Sequence, residues 1–128
     1  MPLPTNATVE ATPHFLAGLK AAQAFFEQQD MDTAAGRAAR LRAGLREMVQ
    51  ILAWSPASGR PARFVFARSA QARLHMEAVH ALASQVGLPH LCEYVVGQHL
   101  VLYAHSADTV MLLALKHQRA VAYTIDAE

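Results

Sequence analysis

The densest group of chemically capable side chains lies near the carboxy end of the sequence, where Lys116, His117, Arg119 and Tyr123 follow one another closely. An imidazole or a phenol can take up and return a proton, and a guanidinium or ammonium can hold charge that builds on a phosphate. Converging at the edge of a sheet, such a set can cleave RNA without a metal. His117 or Tyr123 would handle the 2′-hydroxyl or leaving-group proton, and Arg119 or Lys116 would steady the scissile phosphate. The same residues also read as an ordinary strand end, with His117 packing it and Arg119 and Tyr123 closing it.

Seven histidines invite a metal reading, which their spacing does not support. His75 and His80 are five positions apart, about 140° around a helix and so not stacked on one face. No His-Glu-x-x-His pattern accompanies them, and the single cysteine, Cys92, excludes a Cys-rich zinc site and a disulfide framework. His99 and His105 share strand parity but sit near opposite ends of their strand. No Gly-x-Ser-x-Gly elbow and no glycine-rich phosphate loop occur, and Cys92 reads as a small apolar strand residue. Neither metal nor cofactor is expected.

Charge is divided unevenly along the chain. Residues 1–36 carry Lys20 against Glu10, Glu27, Asp30 and Asp32. Residues 37–73 carry eight arginines against Glu47 alone, and the remainder is again acidic, for a formal net charge of +1. The basic stretch reads either as a solvated helix face or as a patch for nucleic acid or an acidic partner. An apolar fraction of 53% with 16% charged residues excludes a disordered chain, and no apolar run approaches the ~20 residues of a membrane span. The start, Met1-Pro-Leu-Pro, lacks the basic and apolar regions of a signal peptide. One domain over residues 1–128, in the cytoplasm, is the expectation.

The elements that would position these residues are legible from spacing. Residues 8–11 form a weak strand candidate. Thr12-Pro13 opens a helix with a hydroxyl cap and a proline in the first turn, and Phe15, Leu19, Ala22 and Phe26 mark its apolar stripe to about Gln29. Residues 30–33 form a short break in which Asp32 or Thr33 can cap the next helix. Ala34, Ala38, Leu41, Leu45, Met48 and Leu52 then repeat by fours and threes, with arginines mostly on the other side. The two make an antiparallel hairpin, which Pro56, Gly59 and Pro61 end. Residues 62–68 read as a short strand or extended loop, and residues 69–86 as a third helix before Gly87-Leu88-Pro89. Residues 91–96, 99–105 and 110–116 form an antiparallel meander, joined by Gly97-Gln98 and by residues 106–109. The class is α+β: an N-terminal helical hairpin covering a small C-terminal antiparallel sheet, with an extra inserted helix.

This order of elements resembles the RelE/ParE toxin superfamily. The resemblance rests on residues 45–61, with Trp54-Ser-Pro and Ser58-Gly-Arg-Pro, and on residues 88–117. There Leu88-Pro-His-Leu-Cys-Glu-Tyr-Val-Val-Gly, His99-Leu-Val-Leu-Tyr103 and the strand ending at His117 are similar to successive strands of that family. The resemblance implies a bacterial type II toxin of the plasmid-stabilisation kind, growth-inhibitory and neutralised by a co-encoded antitoxin. Members act either as gyrase poisons of the ParE branch or as ribosome-dependent mRNA endonucleases of the RelE branch.

The ribonuclease branch carries lysine and arginine on the two middle strands, and residues 91–96 and 99–105 contain neither. Cys92 stands where an arginine usually precedes Glu93. A ParE-like toxin that binds DNA gyrase without catalysis is therefore the first expectation. The second is a metal-independent mRNA endoribonuclease using His117, Arg119 and Tyr123, and the third an inactive binding module of the same fold. Arg60, Arg63 and Lys116 are the residues expected to meet target or partner. Residues 69–86 depart from both branches. An apolar groove on the open sheet is expected to take the antitoxin as a helix or an added strand. Self-association of the isolated chain, a homodimer included, follows from the same groove.

Overall fold

The computed structural model describes residues 6–61, 87–88 and 90–117. Its elements run β1 (Thr8–Ala11), α1 (Pro13–Gln29), α2 (Met31–Trp54), a 3₁₀ turn (Pro56–Ser58), β2 (Arg60–Pro61), β3 (His90–Val96), β4 (His99–His105) and β5 (Thr109–His117). The expected helix over 69–86 and the segment 62–68 lie outside the described residues, as do Arg63, Arg119 and Tyr123.

Thr12 and Pro13 begin α1 as their types dictate. Thr12 is extended, its Oγ1 accepts the Phe15 N–H at 3.1 Å, and Pro13 occupies the first turn, where its missing donor costs nothing. The break between the helices is narrower than residues 30–33. Asp30 alone is extended; its N–H donates to the Phe26 carbonyl at 3.0 Å, and its Oδ1 accepts the Asp32 N–H at 2.9 Å. One residue thus closes α1 and caps α2, so the cap is Asp30 and not Asp32 or Thr33. The carboxylate also sits favourably at the positive end of the α2 dipole.

The stripe on α2 is buried in full: Ala34, Ala38, Leu41, Leu45, Met48 and Leu52 all face inward. They pack with Phe15 and Phe26 of α1 and with Val101, Tyr103 and Leu112 of the sheet into one core. Full burial of each large side chain contributes about 1.5–3 kcal/mol. Arg40, Arg42 and Arg46 are exposed, so this part of the basic stretch is a solvated helix face.

Among the described residues the sheet has five strands in the order β1-β5-β4-β3-β2. β3, β4 and β5 form the expected antiparallel meander, and β2 adds antiparallel to β3. β1 pairs in parallel with β5, Thr8 opposite Thr109 through Ala11 opposite Leu112, so the sheet is mixed rather than purely antiparallel. A parallel neighbour requires a long crossover, and here everything between β1 and β5, helices included, makes that connection. Thr12 ties the junction down: its N–H donates to Leu112 O at 3.0 Å and its hydroxyl to Leu113 O at 3.3 Å.

Between β3 and β4, Gly97 takes φ +57° while Gln98 does not enter the left-handed region, the pattern of a type II′ hairpin turn with glycine first. β4 is buried along its whole length on both faces. Val101 and Tyr103 join the core under the helices, whereas Leu100, Leu102 and Ala104 join a second cluster with Leu88, Leu113 and Ala114.

The β4–β5 ladder slips once. Leu102 faces Ala114 and the next pair is Tyr103 with Leu112, leaving Leu113 as the extra residue of a β-bulge. Leu113 and Ala114 consequently point into the same second cluster, and alternation beyond them is reset. Leu115 and His117 therefore lie on the helix-covered face, and Lys116 on the other.

Candidate functional site

At the open end of the β4–β5 hairpin, α1 and the start of α2 leave a groove of about 900 Å³. Its wall on α1 is made of small residues, Ala17, Gly18, Ala21 and Ala22, with Phe25 above them, 48% exposed. His14 comes from the first turn of α1, Arg37 from α2, His99 from β4, and Lys116 and His117 from β5. Among the described residues lining it there is no carboxylate.

His99, His117 and Arg37 are tied together by ring and guanidinium contacts. His99 is buried, faces His117 directly across the ladder, and their rings meet edge to face with centroids 5.3 Å apart. On its other side His99 meets the Phe26 ring at 5.9 Å, again edge to face. Arg37 lays its guanidinium over the same Phe26 ring, 4.4 Å from the centroid, and donates to Gln29 Oε1 at 2.8 Å. Burial pushes the His99 pKa down from its usual value, and the neighbouring His117 and Arg37 push it the same way. A buried imidazole beside two other basic groups resists taking a proton.

Of the residues proposed for catalysis, His117 is half-buried and lines this groove. Lys116 and His117 do not act side by side: as strand neighbours they leave the sheet on opposite faces. The Lys116 pKa is pushed down by burial first, up by the Glu93 carboxylate, and down again by Arg60. Its charge is thus coupled to a second polar group on the other face. There Arg60 of β2 lies opposite Glu93 of β3, with Nε 3.8 Å from Oε1 of a carboxylate that is only 3% exposed. At that distance the contact is an ion pair without a hydrogen bond, and the Arg60 Nε has none. Arg60 and Lys116, two of the expected partner-binding residues, therefore share the sheet face opposite the helices, with Glu93 between their influences.

Cys92 packs at the margin of the core. It is partly buried, and burial pushes its pKa up, against a smaller opposing effect of the Tyr103 hydroxyl. Tyr103 is a structural lock: its hydroxyl accepts the Gly59 N–H at 2.9 Å and donates to the Pro56 carbonyl at 2.8 Å. Burial drives its pKa far above the usual value, so it stays protonated. No group of three or more histidine, cysteine, aspartate or glutamate side chains among the described residues is arranged to hold a metal. No helix among them is long and apolar enough to cross a membrane.

Three groove residues were not singled out from the sequence as a site: His14, Arg37 and His99. Arg37 carried a signal, since it falls three residues after Ala34 and four before Leu41, at the edge of the buried stripe. Against known proteins, the chain matches no family model and no curated protein.

Proposed function

We propose that this chain is the toxin component of a type II toxin–antitoxin pair of the RelE/ParE kind, acting in the ParE manner by binding an essential target, DNA gyrase, and held inactive by a co-encoded antitoxin. The observation that carries this reading is the arrangement of the elements. A first strand, a helical hairpin and a meander are assembled so that β5, the final strand of the meander, lies between β1 and β4, with the hairpin over one face. Binding rather than catalysis is supported by β3 and β4, which bear no lysine or arginine to stabilise a phosphorane. On the face away from the helices, Arg60 and Lys116 offer positive charge for a target or an acidic antitoxin.

Expression of the chain alone in a bacterial host tests this. Growth arrest with a DNA-damage response, and inhibition of gyrase supercoiling by the purified protein, are the expected results. Harmless overexpression without any antitoxin would reject toxicity and leave a binding module of the same fold.

One observation favours the endoribonuclease as a second reading. His99 and His117 are paired in a groove that also holds Arg37. One imidazole can take the 2′-hydroxyl proton as the 2′-oxygen attacks phosphorus, and the other can protonate the departing 5′-oxygen, leaving a 2′,3′-cyclic phosphate. Cleavage of ribosome-bound mRNA with supercoiling untouched, abolished by His117→Ala and Tyr123→Ala in folded protein, would establish it over the first.

A further inference from the structure

β4 carries a histidine at each end, and each stands opposite another histidine: His99 opposite His117 on β5, and His105 opposite His90 on β3. The second pair lies at the end of β4 away from the groove, and neither toxin reading uses it. The ring centroids of His90 and His105 are 5.0 Å apart, with the planes inclined at 31°. Directly opposed residues of an antiparallel ladder keep their Cβ atoms about 4.5–5.5 Å apart, so the backbone holds this pair close before either ring is placed. β3 and β4 pair without a slip from His90–His105 to Val96–His99, so the two side chains share one face of the sheet.

The two nitrogens of His105 already have different roles. Nδ1 lies 3.1 Å from the Ser106 carbonyl oxygen, which can only accept, so in the neutral ring Nδ1 carries the proton and Nε2 the lone pair. Ser106 is itself fixed by the β4–β5 turn: its N–H donates to the Thr109 carbonyl at 2.9 Å and its hydroxyl to Asp108 Oδ1 at 2.9 Å. A backbone carbonyl that holds one ring nitrogen and leaves the other as a ligand is the arrangement found around metal-binding histidines. Among the described residues the Arg60 Nε is the one buried side-chain nitrogen or oxygen that lacks a hydrogen bond, so the Nε2 of His105, which makes none, reaches solvent. His90 is exposed and opens the pair to an ion from outside. The pair at the other end of β4 is less suited to a cation, because the Arg37 guanidinium acts directly on His99.

We propose that His90 and His105 form a two-histidine binding site for a transition-metal dication of the zinc class. Two imidazoles bound to one tetrahedral ion through Zn–N bonds of about 2.0–2.1 Å place their ring centres roughly 5 Å apart, the separation this pair already has. No third histidine, cysteine, aspartate or glutamate among the described residues completes a set with them, so water fills the remaining positions and the site is an open one. Imidazole nitrogen selects zinc, nickel or copper over magnesium and calcium, which take oxygen. A bound ion bridges β3 and β4 at this end and stabilises the folded chain by mass action. The site stands on the cross-strand pair and does not depend on the protein being a toxin.

Zinc chloride serves as the probe, titrated into the full chain at about pH 7.5, above the ordinary imidazole range, while histidine ring signals are followed by NMR. The expected result is saturable movement of the His90 and His105 signals ahead of those of the other histidines. The melting temperature rises with zinc concentration in parallel. Magnesium at the same concentration moves neither signal. His90→Ala, at an exposed position, weakens zinc binding by about tenfold or more while the metal-free melting temperature stays within a few degrees. The proposal is overturned if millimolar zinc leaves both signals in place, if magnesium binds as well, or if folded His90→Ala binds zinc like the parent protein. It is also overturned if other histidines saturate first, which would mark zinc binding at His90 and His105 as adventitious.

Discussion

His99 and His117 stand opposite each other across the β4–β5 ladder, their rings edge to face at 5.3 Å, although the strands reach this pairing only through a bulge. The pair is built on the buried face, where His99 is 7% exposed and Phe26 closes it from α1. The buried His99 imidazole in that position makes the fold sensitive to acid.

The folded-state pKa of His99 lies below its ordinary value of 6.5, chiefly through burial and then through His117 and Arg37. The unfolded chain therefore binds its proton at a higher pH than the native one does. Stability associated with this group is complete above pH 6.5 and falls as the pH drops below it. Urea unfolding followed from pH 7.5 to pH 5.5 should show a falling midpoint, with a shallower fall in His99→Gln. A midpoint that rises on acidification, or a variant with the parent's slope, would contradict the burial argument.

Tyr103→Phe should destabilise the protein without disturbing its shape. The hydroxyl receives the Gly59 N–H at 2.9 Å and donates to the Pro56 carbonyl at 2.8 Å, at a site with no solvent access to the ring. Removing it strands a buried donor and acceptor, at a cost of about 1–3 kcal/mol. Chemical denaturation checks this: the midpoint should fall while the m value stays the same. Gly59 belongs to the same lock, because a Cβ there would sit 2.5 Å from both the Glu93 carbonyl and the Tyr103 hydroxyl oxygen.

Met48→Ala reports on the core between helices and sheet. Met48 is fully buried in the α2 stripe, so truncation should cost about 2–5 kcal/mol. Arg46→Gln, two residues earlier but on the exposed face, should change stability by less than about 0.5 kcal/mol. Thermal melts of the two variants side by side measure the contrast. Comparable losses would mean that the exposed arginines have structural partners.

Much of this frame can be read from residue types. Thr12-Pro13 marks the start of α1, the four–three spacing from Ala34 to Leu52 marks the buried face of α2, and Gly97 marks the hairpin turn. These signals are local, carried by dihedral preference and period. The parallel pairing of β1 with β5 is not local: four residues of modest strand character acquire a partner only when the rest of the chain has folded back. Asp30 outcompeted Asp32 and Thr33 as the cap because α2 starts one turn earlier than its apolar stripe. The site was half legible. His117 stands out by type and place, but its facing of His99 depends on Leu113 being an extra residue, and nothing in Leu112-Leu113-Ala114 distinguishes a bulge from regular alternation.

Glu93→Gln tests the charge arrangement on the opposite face. The Glu93 carboxylate is buried, lies 3.8 Å from the Arg60 Nε, and supports the charge of Lys116 against burial and against Arg60. Replacing it with the neutral amide keeps the shape but removes that support, so the Lys116 ammonium should titrate lower than it already does. The direction is unambiguous because the two remaining influences, burial and a like charge, both disfavour the protonated amine. Lysine side-chain NMR across the alkaline range would follow it directly, with Arg60→Gln as the opposing control that should let the ammonium titrate higher. If the Lys116 titration were the same in the parent and both variants, the two cations would not belong to one electrostatic unit. The proposal that they jointly meet a target or an acidic antitoxin would then lose its physical basis.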